Sequence, residues 1–152
     1  MSKILFSFLM MTLLITNIAD AKQPGCREFV VTITNKSPND CILKTQHLLT
    51  GTMFQGSQIP DLLLQGQSTQ FVLTTDFKSV ALAYVKYQCG QNSIDLLSSD
   101  PFFDSLIMLN VPPVEGFVLN KDNMNASFTS IPPSMCNVWY DTPAAEINWT
   151  IY

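Results

Sequence analysis

The chain has 152 residues, with 8 Lys and Arg against 12 Asp and Glu, one histidine and a formal net charge of −4 at neutral pH. So few basic residues, scattered along the chain, form no positive stripe for a phosphate backbone, which argues against nucleic acid and against polybasic attachment to anionic lipid. Neutral lipid or sterol is compatible with this charge.

The first segment has the layout of a secretory signal peptide. Lys3 supplies the positive start, Ile4 to Ile15 is an almost unbroken apolar run, and Ala19-Asp20-Ala21 gives the small-x-small pattern for cleavage after Ala21. An apolar run this short suits a signal peptide and falls below the roughly 20 residues of a membrane-spanning helix. The alternatives, an uncleaved N-terminal anchor or a lipoprotein modified at Cys26, lack their own signals: no stop-transfer charge cluster follows, and Lys22-Gln23-Pro24-Gly25 is not a lipidation sequence. The expected product, residues 22–152, is one secreted or periplasmic domain without a transmembrane span.

Strands are expected along most of that domain. Glu28 to Thr34 is dense in β-branched residues and ends in the turn chemistry of Asn35-Lys36-Ser37-Pro38-Asn39-Asp40, so Cys41 to Leu49 is expected to return as the second arm of a hairpin. Gly51 to Gly66 carries turns and a short extended piece at Leu62 to Leu64. Ser68 to Thr75 alternates, and Val80 to Cys89 is the strongest strand in the chain. There Ala81, Ala83, Val85, Tyr87 and Cys89 share one face, while Val80, Leu82, Tyr84, Lys86 and Gln88 share the other. A start that is apolar on both faces places it centrally in a sheet.

Cys89-Gly90-Gln91-Asn92 reads as a turn and Ser93 to Leu97 as the returning arm. Ser105 to Val111, Gly116 to Leu119, Ala126 to Ile131 and Asn137 to Tyr140 follow as short strands, with a short helix as an option around Asp100 to Leu106. Ile147 to Tyr152, with Ile147, Trp149 and Ile151 on one face, is expected to be a terminal strand docked on the core. Repeated short strands with turn signals predict an all-β, single-domain β-sandwich of antiparallel strands, with a barrel as second choice.

All four cysteines, Cys26, Cys41, Cys89 and Cys136, lie in the exported part, and an even number in an oxidising compartment reads as two disulfides. Three connectivities are open. The simplest local pairing is Cys26 with Cys41, leaving Cys89 with Cys136, each bridge adding about 2–4 kcal/mol. The wide spacings and the single His47 do not match a Cys/His zinc site, although four thiolates are formally able to hold zinc.

No catalytic or cofactor motif is present, and no cofactor is expected. A Ser-His-Asp or Cys-His enzyme would have to use His47, and no Gly-x-Ser-x-Gly, His-Glu-x-x-His, phosphate-binding loop or EF-hand pattern occurs. His47 reads as a partly exposed strand or turn residue. Asp95, Asp100 and Asp104 form the densest acidic cluster, with Glu115 beyond, and a pair of neighbouring carboxylates is the minimum for a glycosidase or a calcium site. Acidic loop residues are more often turn chemistry. Phe102-Phe103 and Trp139-Tyr140 are the more suggestive set: adjacent aromatics in a strand point to opposite faces, so one of each pair is available as a binding surface. A second layer of core is the plainer role for them. Asn35-Lys36-Ser37, Asn125-Ala126-Ser127 and Asn148-Trp149-Thr150 match the glycosylation sequon.

Val31-Thr32-Ile33-Thr34-Asn35, the later Ile59-Pro60, Gly66-Gln67-Ser68-Thr69-Gln70-Phe71 and Ala83-Tyr84-Val85-Lys86-Tyr87 together resemble the order of features in aegerolysin-like β-sandwich proteins. The resemblance covers the first half of the exported domain and carries over no functional residue. It implies a small secreted β-sandwich of a kind in which several members bind membrane lipids and some assist pore formation. Two functions are therefore expected to compete. One is a non-enzymatic exported interaction protein, such as a bacterial effector or toxin-like module binding a host protein, glycan or lipid through loops. The other is a small secreted hydrolase using the acidic cluster.

Overall fold

The computed structural model describes residues 25, 27–75, 80–101, 113–132 and 143–152. The expected signal peptide, Cys26, Asp104, Cys136, the Phe102-Phe103 and Trp139-Tyr140 pairs and the strands expected at 105–111 and 137–140 lie outside the described residues. So does the optional helix beyond Pro101. Every regular element among the described residues is a strand: β1 Glu28–Asn35, β2 Cys41–Thr50, β3 Thr52–Met53, β4 Leu62–Leu63, β5 Ser68–Thr74, β6 Ala81–Cys89, β7 Asn92–Asp100, β8 Glu115–Asp122, β9 Ala126–Ile131 and β10 Ala145–Ile151.

These strands make two five-stranded sheets, ordered β3-β5-β1-β10-β9 and β4-β2-β6-β7-β8. The β-sandwich is the observed architecture, and among the described residues neither sheet closes into a barrel. The pairing is antiparallel except between β1 and β10, which run parallel in the middle of the first sheet with Phe29 opposite Ala145 and Ile33 opposite Trp149. β6 is the middle strand of the second sheet, as its two apolar faces predict, and β7 returns beside it through a tight turn. Gly90 serves that turn with φ of 64°, a left-handed conformation that costs glycine nothing.

The expected hairpin of β1 with β2 does not form. β1 belongs to one sheet and β2 to the other, so the segment after Asn35 crosses the sandwich. The buried Asn35 side chain explains the crossing. Its Nδ2 donates to the carbonyls of Asn39 at 2.9 Å and Leu63 at 3.0 Å, and its Oδ1 accepts from Ser37 N and Oγ at 3.0 and 2.7 Å. The turn is thus built around a side chain and does not close a backbone hairpin. The same bonds leave this sequon asparagine no exposed nitrogen to glycosylate.

β2 pairs instead with β6, where Cys41 and Cys89 stand opposite each other and are joined by a disulfide with Cα atoms 4.0 Å apart. This replaces the expected Cys26–Cys41 pairing. Closeness in sequence favoured Cys26, but β1 leads into a different sheet from the one that holds Cys41.

The core lies between the sheets. Phe29, Val31 and Ile33 of β1, Phe71 and Leu73 of β5, and Ile147, Trp149 and Ile151 of β10 face Ala81, Ala83, Val85 and Tyr87 of β6 and Ile94 and Leu96 of β7. The face of β6 that alternation assigned to the core is the buried one, and Ile147, Trp149 and Ile151 dock together as expected. Each large apolar side chain here contributes roughly 1.5–3 kcal/mol by leaving water.

Candidate functional site

The outer face of the second sheet carries the side chains that alternate with its core set. Strand register places them in rows. His47 of β2, Tyr84 of β6, Leu97 of β7 and Phe117 of β8 are successive cross-strand partners, and the neighbouring row is Thr45, Lys86, Asp95 and Asn120. Irregularities in β2 on either side of Thr45–Leu48, and in the β8 pairing beside Leu96, keep the rows aligned by absorbing single residues.

Within these rows Tyr84 is anchored. Its hydroxyl donates to Asp95 Oδ2 at 2.9 Å, and Lys86 Nζ lies 3.5 Å from Asp95 Oδ1. Asp95 is largely buried and its Oδ1 receives no hydrogen bond, so the Lys86 charge is what compensates it. Desolvation, then the hydrogen bond to Asp95 and its negative charge, raise the Tyr84 phenol above its ordinary value, so it stays a donor at neutral pH. On its other side the Tyr84 ring meets the imidazole of His47, centroid to centroid at 5.9 Å and 20° from parallel. His47 is an exposed strand residue, as its sequence context predicts, but it belongs to an aromatic row.

The second feature is the side of the sandwich where β8 and β9 are the edge strands of their respective sheets. Phe117, Val118 and Leu119 of β8 and Phe128 and Ile131 of β9 are all exposed, from 37% at Val118 to 56% at Leu119. Val118, Leu119, Asn120, Lys121, Asn125 and Ala126 line an open cleft of about 360 Å³ between the two strands. Edge strands usually carry charge to discourage association; β8 exposes Glu115, Lys121 and Asp122 at its ends but three consecutive apolar residues between them.

Of the acidic cluster, Asp95 and Asp100 stand on opposite faces of β7, and Asp104 lies outside the described residues. Asp95 faces outward with Lys86, whereas Asp100 shares the inward face of Ser98 and is buried opposite Ala81. Five residues of strand place these carboxyls roughly 17 Å apart on opposite faces, too far for a shared acid–base or calcium site. Asp100 has a partner of its own. Glu115 is exposed at the start of β8. Among the described residues, no group of three or more His, Cys, Asp or Glu side chains converges to hold a metal, and no helix is long and apolar enough to cross a membrane.

Sequence reasoning separated Tyr84 and Lys86 from the core face of β6 but did not join them to His47, Asp95 and Phe117. That grouping depends on register across four strands, and the irregular positions in β2 and β8 shift the count that simple alternation would give.

No family model matches the chain, and no curated protein matches it in sequence. Solved structures do share its fold. The crystal structure of the lipid binding protein Nakanori superposes with a TM-score of 0.59 at 11% identity, over 82% of this chain and 70% of that one. IP-1A from Alcaligenes faecalis gives 0.53 at 11% identity, over 85% and 92% of the two chains. RahU protein, solved with a Tris molecule, gives 0.56 at 8% identity, over 85% and 98%. At such identities the likeness is one of fold, and it places the chain at a distant fold relationship to a lipid-binding protein.

Proposed function

We propose that the chain is an exported, non-enzymatic binding module that engages a membrane lipid surface through the β8–β9 side of the sandwich. The observation that carries this is the exposed run Phe117-Val118-Leu119 on β8, with Phe128 also exposed on β9. Apolar side chains on two neighbouring edges gain free energy by entering the acyl boundary, at about 25 cal/mol per Å² buried. The fold shared with a lipid binding protein supports the reading, as does the aegerolysin-like order of features in the first half of the domain. Secretion after Ala21 and a role as a bacterial effector or toxin-like module fit the same picture. A net charge of −4 directs it to neutral or sterol-containing membranes.

Co-sedimentation of the exported domain with neutral, sterol-containing and anionic vesicles tests the proposal. Pelleting with neutral or sterol-containing vesicles, reduced in a Val118→Ser, Leu119→Ser double variant, is the expected result. Absence of pelleting with all three compositions contradicts it.

A further inference from the structure

The row on the outer face of the second sheet has a geometry that a lipid tail does not require. Tyr84 and Phe117 stand two strands apart in register, with Leu97 between them and His47 beyond Tyr84. Adjacent strands lie about 4.8 Å apart, so the two ring positions are separated by roughly 10 Å. That spacing is the disaccharide repeat of an extended β-1,4-linked hexose chain, in which every second sugar presents the same face. The apolar C–H face of a pyranose stacks on an aromatic ring, and its equatorial hydroxyls project sideways to polar groups.

We propose that this face is a carbohydrate platform for a neutral, extended β-1,4-linked hexose chain laid across the strands. Tyr84 and Phe117 stack alternate sugars, and His47, stacked against Tyr84, backs its ring on the side away from Phe117. Thr45, Lys86 and Asn120, in the adjoining row, meet the hydroxyls along one side. The charges of the two rows select a neutral ligand, because Lys86 and Asp95 compensate each other at 3.5 Å and no other formal charge stands in either row. Tyr84 is preorganised for stacking. Its hydroxyl is tied to Asp95 and its ring lies against His47, so little side-chain freedom is lost when a sugar lands on it. Phe117 is 46% exposed, which leaves its ring surface available. Asp95 is a positioning residue, holding the Tyr84 ring and orienting the Lys86 ammonium.

The test uses the exported domain with soluble oligosaccharides and no vesicles, so its outcome is separate from that of the lipid proposal. Cellohexaose and chitohexaose carry the matching repeat, whereas maltohexaose is α-linked, curls and does not. Binding is read by calorimetry and by amide shifts in β2, β6, β7 and β8. The expected result is binding of at least one β-linked hexamer, no binding of maltohexaose, and affinity roughly tenfold weaker in Phe117→Ser and in His47→Ala. Tyr84→Phe keeps the ring but frees it from Asp95, and is expected to weaken binding by a smaller factor while leaving the thermal midpoint within a few degrees. Lack of binding of both β-linked hexamers at millimolar concentration overturns the proposal. So does equal binding of maltohexaose, or wild-type affinity in a folded Phe117→Ser variant.

Discussion

The Trp149 indole Nε1 donates to Ser98 Oγ at 2.9 Å, a hydrogen bond that joins β10 of one sheet to β7 of the other through the core. Both residues are buried, so water is absent to replace either partner. Ser98→Ala leaves the indole N–H unsatisfied and is expected to cost about 1–3 kcal/mol. Urea unfolding is expected to show a lower midpoint with an unchanged slope. The double variant with Trp149→Phe is expected to cost less than the two single changes summed, because phenylalanine has no donor to strand. Strict additivity would show that the bond contributes nothing.

The same indole fixes the identity of a residue on β8. A Cβ built on Gly116 would stand 2.7 Å from Trp149 Cζ2 and 2.9 Å from Ile147 Cδ1, well inside contact distance. Trp149 is also held by Phe128, with ring centroids 5.1 Å apart, so it has little room to retreat. Gly116→Ala is expected to destabilise by about 1–3 kcal/mol through overpacking. It is also expected to displace β8 from Trp149, changing the near-UV circular dichroism of the folded protein. An unchanged spectrum together with unchanged stability would refute the close packing.

Cys41 and Cys89 close a loop with a sequence separation of 48 between adjacent strands. Loop-closure entropy for that length is worth about 4 kcal/mol, and Cys41→Ala with Cys89→Ala is expected to lose most of it. With these two paired, Cys26 and Cys136 are left to bridge each other in an oxidising compartment. Non-reducing peptide mapping is expected to yield a Cys41–Cys89 and a Cys26–Cys136 linkage. A Cys26–Cys41 peptide would contradict both.

The disulfide also shows where sequence information stopped. Alternation identified β6 face by face, from Ala81 to Cys89, because a strand buried on one side writes a period of two directly into its residues. The span of β9, Ala126–Ile131, was legible for the same kind of local reason, bounded by Asn and Pro. Pairing between strands was not. Asn35-Lys36-Ser37-Pro38-Asn39-Asp40 has the composition of a hairpin turn, and only the burial of the Asn35 side chain shows that it carries the chain across the sandwich. Asp95 and Asp100 looked like neighbours because they are close in sequence, yet an odd separation along an unbroken strand pair sends them to opposite faces. The row of His47, Tyr84, Leu97 and Phe117 was invisible for the converse reason, since its members are distant in sequence and meet through register.

Two tyrosines give the fold an alkaline limit. The Tyr87 side chain is fully buried and its hydroxyl donates to the Pro60 carbonyl at 2.8 Å. Burial, and next the charge of Asp61, push its phenol far above the ordinary value, and Tyr84 is raised in the same direction. The sign follows from proton counting. Below about pH 10 folded and unfolded chains both hold the phenolic protons, and the stabilisation is complete. As pH rises past that point the unfolded chain ionises while folded Tyr87 does not, so the unfolded state binds fewer protons and stability falls. The loss approaches about 1.4 kcal/mol per pH unit for Tyr87 and ends only when the folded phenol itself ionises. Urea midpoints measured from about pH 8 to about pH 11 are expected to be level at first and then to decline. Tyr87→Phe is expected to start from a lower midpoint, having lost the bond to Pro60, but to decline less steeply above pH 10. Equal slopes in the two proteins would remove Tyr87 as the source of the alkaline limit.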